Sequence, residues 1–213
     1  MVTRRQSLPH CLAAILSTAL AAPGAAHTLD ELQSELTERE KYVQFVDYPA
    51  PDFTLLDAHG NAVSLADLRG KVVVLWFIFA SCPDLCPLQS EFLAGVQDMV
   101  NQTPMRDLVR FVAITTDPTN DGSDVLGSYG EAHGLDSLNF LFLTSGSDAP
   151  DATRALAETY GLKFTLTEDG YQMHGVVTHL IDKSGRLRAR AHGLKFKPTN
   201  LLVVINALSN DSH

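Results

Sequence analysis

Cys82 and Cys86, in the hexapeptide Cys82-Pro83-Asp84-Leu85-Cys86-Pro87, are the residues of this sequence best suited to chemistry. Two cysteines four positions apart do not make a disulfide scaffold; at that spacing they make a redox or a metal site. They stand where an apolar strand pattern gives way to a helical one. A helix N-terminus offers unpaired N–H groups and a positive dipole end, so this placement predicts thiols with a lowered pKa. Pro87 suits the first turn of that helix, where its missing N–H has no partner to lose. Three intervening residues, one more than in the common dithiol motif, make a wider loop that can close to a disulfide or splay its sulfurs around a metal. Two thiolates with an imidazole suit a soft cation, above all Cu(I), and leave a fourth position open. A plain structural disulfide is the alternative at this point.

The elements that must hold this loop are readable from hydrophobic period. Lys71 to Phe79 (KVVVLWFIF) is a near-continuous β-rich apolar run, the pattern of a strand buried on both faces. Trp76 in it reads as core. After the cysteines, Phe92, Leu93, Val96 and Val100 share one face of a helix. Strand and helix patterns then alternate: strand 108–115, helix 123–133, strand 139–143, helix 152–160. Strands 176–181 and 187–191 pair across the turn Asp182-Lys183-Ser184-Gly185, and a helix over 198–208 closes the chain. Upstream, 53–56 and 61–64 read as two short strands joined at Asp57-Ala58-His59-Gly60. This order predicts an α/β fold with a mixed central sheet flanked by helices and an extra N-terminal β-hairpin.

The expected division is a signal peptide over 1–26, an arm or helix over 27–50 closed by Pro49-Ala50-Pro51, and one domain over 51–213. Arg4 and Arg5, a short apolar run and Ala26 describe a secretory signal with cleavage after Ala26. The run is short of the ~20 residues that span a bilayer, so export to the bacterial periplasm is expected over anchoring. Losing Arg4 and Arg5 takes the formal net charge from −9 to −11. No Lys/Arg cluster remains, which argues against nucleic acid or anionic lipid as partner.

The segment from Gly70 through Phe77 into Cys82-Pro83-Asp84-Leu85-Cys86-Pro87 resembles the signature of the Sco/SenC family of copper proteins. Ala113-Ile114-Thr115-Thr116-Asp117-Pro118, with Asp121 following, is similar to that family's Asp-Pro segment, and His174-Gly175-Val176-Val177-Thr178-His179 to its His-bearing strand. The resemblance implies a thioredoxin-like fold and one copper, Cu(I) or Cu(II), held by Cys82, Cys86 and His174. It also implies service to assembly of the CuA centre of cytochrome c oxidase. The partners it implies are an oxidase subunit or other copper acceptor, a periplasmic thiol reductant and an upstream copper donor. Cys82 and Cys86 are expected to form a redox disulfide as well. Asp117, Asp84 and Met173 are candidates for contact with a ligand side chain or a partner, Asp117 equally for a turn. Met173 and His179 stand where the family commonly has an acidic and an aromatic residue.

In thioredoxin-like oxidoreductases a cis-proline opens the strand facing the cysteines. In this register it falls at Val176, and His174 lies two residues before it, beside the cysteine loop. His179 is expected to be structural, and His192 and His133 to be surface residues; His27, as a new N-terminus, offers an amine and an imidazole that can bind Cu(II), a reading the sequence disfavours. The missing proline counts against the main alternative, a thiol–disulfide oxidoreductase acting on partner cysteines. A peroxidase lacks its helper residue around Cys82, and a metal-free redox sensor is the third reading.

Overall fold

The apolar run after Lys71 becomes a strand, Val72–Ile78, in which every residue is buried. Val72, Val74, Trp76 and Ile78 enter one core, while Val73, Leu75 and Phe77 enter the other. Alternation across a pleat explains this, since successive side chains leave opposite faces. The computed structural model describes residues 29–83, 85–166 and 172–211. The expected signal peptide, His27 and Asp84 lie outside the described residues, as does the side chain of Met173.

In chain order the first elements are α1 (Leu29–Arg39), β1 (Val43–Pro49), β2 (Thr54–Leu56) and β3 (Ala62–Ser64). β4 (Val72–Ile78), α2 (Leu85–Asn101), β5 (Val109–Thr115), α3 (Ser123–Ala132) and β6 (Phe140–Leu143) follow. Then come α4 (Ala152–Thr159), β7 (Phe164–Leu166), β8 (Gln172–His174), β9 (Val177–Ile181), β10 (Arg186–His192) and α5 (Pro198–Asn210). The six-stranded sheet has the order β1-β10-β9-β4-β5-β6. β4, β5 and β6 are parallel, and the other neighbours are antiparallel, so the sheet is mixed as expected. β2 and β3 form the separate N-terminal hairpin. Among the described residues no helix is long and apolar enough to cross a membrane.

α2 buries Cys86, Gln89, Ser90, Leu93, Val96, Gln97 and Val100, a spacing of three and four that keeps one face on the sheet. Its first turns are pinned by Gln89, whose amide donates to the Val177 carbonyl and the Thr178 hydroxyl. The turn from β9 to β10 forms around Asp182, whose carboxylate accepts from the backbone N–H groups of Ser184 and Arg186. Gly185 completes it at φ 79°, a left-handed conformation that side chains disfavour.

Two stretches differ from the sequence reading. The stretch 27–50, expected to be an arm or helix, holds the helix α1 and also supplies β1, a strand of the main sheet that pairs with β10 from Val43↔Ala191 to Pro49↔Arg186. The segment is locked further by Glu40, whose buried carboxylate accepts from the Lys197 N–H and the Asn200 amide at the start of α5. That carboxylate supplies the cap that Lys197 itself does not. The second difference is the hairpin β7–β8, in which Phe164 pairs with His174, Thr165 with Met173 and Leu166 with Gln172. His174 therefore ends a small hairpin of its own, and Gly175-Val176 separate it from β9.

Candidate metal centre

The parallel strands β4 and β5 end level with each other, at Ile78 and Thr115. Beyond them the chain crosses Phe79-Ala80-Ser81 to Cys82 and enters α2 at Leu85. Both cysteines are free thiols. Cys82 is half-buried and Cys86 is only 4% exposed. The Cys82 side chain and the backbone of Phe79 both act on the Cys86 thiol, the first raising and the second lowering its pKa. Loop and helix thus bring the two sulfurs together with unequal access.

Burial pushes the Cys86 thiol far above its ordinary range, aided by the Cys82 side chain and the negative charge of Asp121, with the Phe79 backbone opposing. This corrects the expectation of a lowered pKa at that position. Desolvation of a thiolate packed against the sheet outweighs the dipole of the helix start. The resting dithiol is therefore protonated at Cys86, and a metal that takes this sulfur must displace a proton.

His174 is half-buried, its ring beside Phe164 at 5.4 Å and Phe79 at 6.4 Å between centroids. Its Nδ1 lies 3.1 Å from the Gly175 carbonyl oxygen, which can only accept, so Nδ1 carries the hydrogen. Burial lowers the imidazole's pKa, so the ring is neutral and Nε2 holds a lone pair. That Nε2 is buried and has no hydrogen-bond partner among the described residues. A buried acceptor without a donor is costly, and a soft cation would satisfy it. The donor set therefore fits copper in kind: two free thiols on one loop and helix start, and one imidazole nitrogen with no partner among the described residues. The three do not yet converge, since among the described residues no group of three His, Cys, Asp or Glu side chains stands ready to hold a metal. The histidine rests against Phe79, three residues before Cys82.

The other candidates fall into place around this centre. Asp117 is a turn residue: its carboxylate accepts from the Asn120 amide and its carbonyl from the backbone N–H groups of Asn120 and Asp121. Met173 lies opposite Thr165 in β8. His179 is fully buried in β9, its Nε2 donating to the Tyr160 carbonyl, with Phe77 and Tyr160 edge-on to its ring. Trp76 is core, stacked on Phe140. His192 is exposed as expected, whereas His133 is half-buried, packed on Tyr129 at 4.3 Å between centroids. Asp121, which the sequence offered only as a neighbour of the Asp-Pro segment, proves to be 2% exposed and bonded to the cysteine loop. An aspartate six residues after a strand-end threonine was the only signal available.

The SCO1/SenC family pattern matches residues 31–209. The chain belongs to the SCO1/SenC family. It is similar to a SCO2-like protein of Rickettsia prowazekii, 31% identical over 137 residues, which cover 63% of this chain and 64% of that protein. Against the mitochondrial SCO2 homolog of Homo sapiens it is 40% identical over 78 residues, 37% of this chain and 29% of that protein. The chain thus spans less than two thirds of the length of these relatives. Among solved structures it resembles BsSco, a member of the Sco family of cytochrome c oxidase assembly proteins in which a disulfide switch was identified. The TM-score is 0.68 and the identity 22%, over 78% of this chain and 96% of that one. It also resembles ScoI of Arabidopsis thaliana, solved with copper bound, at TM-score 0.64 and 25% identity over 77% of this chain and 100% of that one. The mixed sheet with flanking helices is accordingly the thioredoxin-like fold of Sco proteins.

Proposed function

We propose that this chain is an exported copper chaperone that holds one copper ion on Cys82, Cys86 and His174. It delivers the ion to the CuA centre of a respiratory cytochrome c oxidase or a similar copper acceptor. The observation that carries this reading is the buried Nε2 of His174, which has no hydrogen-bond partner among the described residues, on a ring packed against Phe79 of the loop that leads to the free thiols Cys82 and Cys86. Copper is the cargo. Loading removes the Cys86 proton and draws the imidazole of His174 from Phe79 toward the sulfurs. A site that closes only on loading is also one that opens for release, unlike a rigid four-ligand structural site. Cys82, the more accessible sulfur, is the ligand at which an incoming partner group can begin exchange. Leu85 and Leu88 are exposed beside it on the first turn of α2, and the chain's net charge of −9 favours a partner with a basic or neutral face.

Two free cysteines four positions apart can close to a disulfide, which has no thiolate to offer. In air the isolated protein is expected to form a reversible Cys82–Cys86 disulfide that takes up no copper, so an oxidising compartment requires a reductant upstream. Thiol counting before and after reduction, run beside copper titration, checks this. Tight copper binding by the fully oxidised form contradicts it. The unequal access of the thiols also suits exchange with partner cysteines, so thiol–disulfide oxidoreductase activity is the second reading.

A deletion strain separates the two. Loss of the gene, together with every similar gene, is expected to lower copper-dependent oxidase activity at limiting copper, with partial rescue by added copper. Complementation with the wild type restores activity, and complementation with His174→Ala does not. Normal oxidase activity and copper content in the strain contradict delivery. Peroxide sensitivity with a normal oxidase favours the thiol enzyme.

A further inference from the structure

We propose that Asp121 is the positioning residue of the cysteine loop, a role that rests on the reading of Cys82 and Cys86 as the working pair. Sheet pairing fixes β4 only as far as Ile78, opposite Thr115. Cys82 hangs four residues beyond, where no strand partner holds the backbone. Other bonds take over there. The Thr116 N–H and hydroxyl both donate to the Ile78 carbonyl, at 2.7 and 3.2 Å. The Ala80 N–H donates to the Asp121 carboxylate at 3.0 Å. Cys82 then turns back, its N–H on the Phe79 carbonyl at 3.2 Å. The backbone that carries Cys82 is thus a tight turn whose outer anchor is Asp121.

The anchor is itself built in. The same carboxylate oxygen accepts the Thr115 hydroxyl at 2.5 Å, and the Thr115 oxygen accepts the Asp117 N–H at 2.9 Å. Donors in series polarise one another toward the carboxylate and stiffen the set. Asp121 is 2% exposed, and no ion pair among the described residues involves it. A buried carboxylate without a cation is a poor device for stability alone. Its bond to Ala80, two residues before Cys82, gives it a use: it holds one sulfur at a set distance from the other, which α2 carries. Loss of the clamp lets Cys82 drift and lowers the effective concentration of one thiol at its partner.

The test is the equilibrium with glutathione. Cys82 and Cys86 each give up a hydrogen as their disulfide forms, and one oxidised glutathione is cleaved to two reduced ones. The equilibrium constant is the effective concentration of the pair. Asp121→Ala is expected to lower it by roughly tenfold or more, while Asp121→Asn, which keeps an acceptor oxygen for Ala80 and Thr115, stays within about threefold of the wild type. Copper retention by the reduced, folded variants follows the same order. A wild-type value in Asp121→Ala overturns the proposal. So does an Asn variant as impaired as Ala, which would make the charge and not the clamp the active feature. Should Asp121→Ala fail to fold, Thr115→Val decides: it removes one donor to the carboxylate, and a wild-type value there overturns the proposal too. A general structural defect would move stability in both Asp121 variants without the rescue by Asn. The glutathione equilibrium needs no metal, so a wild type that binds no copper sinks the chaperone reading and leaves this measurement intact.

Discussion

His174→Ala is expected to weaken copper binding by the reduced protein by on the order of a hundredfold or more, with the fold unchanged. Loss of an outer partner of a metal ligand already costs ten- to a hundredfold, and loss of the ligand itself costs at least the upper end of that range. The fold survives because His174 contributes little to it. Its ring is half-buried at the end of a three-residue strand, and among the described residues its one side-chain hydrogen bond is to its own neighbour, Gly175. Removing an acceptor that has no donor among the described residues strands none of them. Competition for Cu(I) against a chelator of known affinity, with circular dichroism of the same samples, reads both effects. Equal copper retention with an unchanged spectrum removes His174 from the ligand set.

Acid is expected to destabilise this protein through His179, by about 3 kcal/mol between pH 6.5 and 4. Burial is the main cause, the positive Arg190 adds to it, and the Tyr160 hydrogen bond partly opposes it; together they lower the imidazole to a pKa of about 4. In the unfolded chain the same group titrates near 6.5. The folded state therefore refuses a proton that the unfolded state binds across this window. The contribution is complete above pH 6.5, falls as the pH drops and levels off below 4. Carboxylates titrate in the same range, so the decisive quantity is the difference from a variant that cannot protonate there. His179→Gln keeps an N–H for the Tyr160 carbonyl and is expected to be less stable at pH 7.5 while closing the gap toward pH 4. Urea midpoints at several pH values measure it. A gap that stays constant across the window shows that His179 carries no such proton linkage.

What the sequence made legible, and what it hid, divides along one physical line. β4 was readable because burial on both faces leaves seven apolar residues in a row. α2 was readable from the spacing of Leu93, Val96 and Val100, and the β9–β10 hairpin from a turn whose four residues are neighbours. These patterns are written locally. β1 was not: it is an edge strand with polar residues along it and a proline at its end, and its partner β10 lies far along the chain. β7 and β8 are three residues each, too short to show a period. At the proposed site, the cysteine pair stood out by its spacing, whereas His174, singled out by resemblance and by the register of the strand that became β9, lies on the separate hairpin β7–β8. The direction of the Cys86 shift was not legible, because it depends on how deeply α2 packs on the sheet. Asp121 was hidden for the same reason, since only folding brings its carboxylate to the Ala80 amide. His133 read as surface because nothing local announces the ring of Tyr129 one turn before it.

The most direct measurement is X-ray absorption at the copper edge, made on reduced protein carrying one equivalent of Cu(I). Two sulfur neighbours and one nitrogen neighbour are expected, the nitrogen with the outer scattering of an imidazole ring. That imidazole signature vanishes in His174→Ala while both sulfurs stay. A copper environment without two sulfurs, or an imidazole signal that persists in the variant, contradicts the assignment of Cys82, Cys86 and His174 as the site.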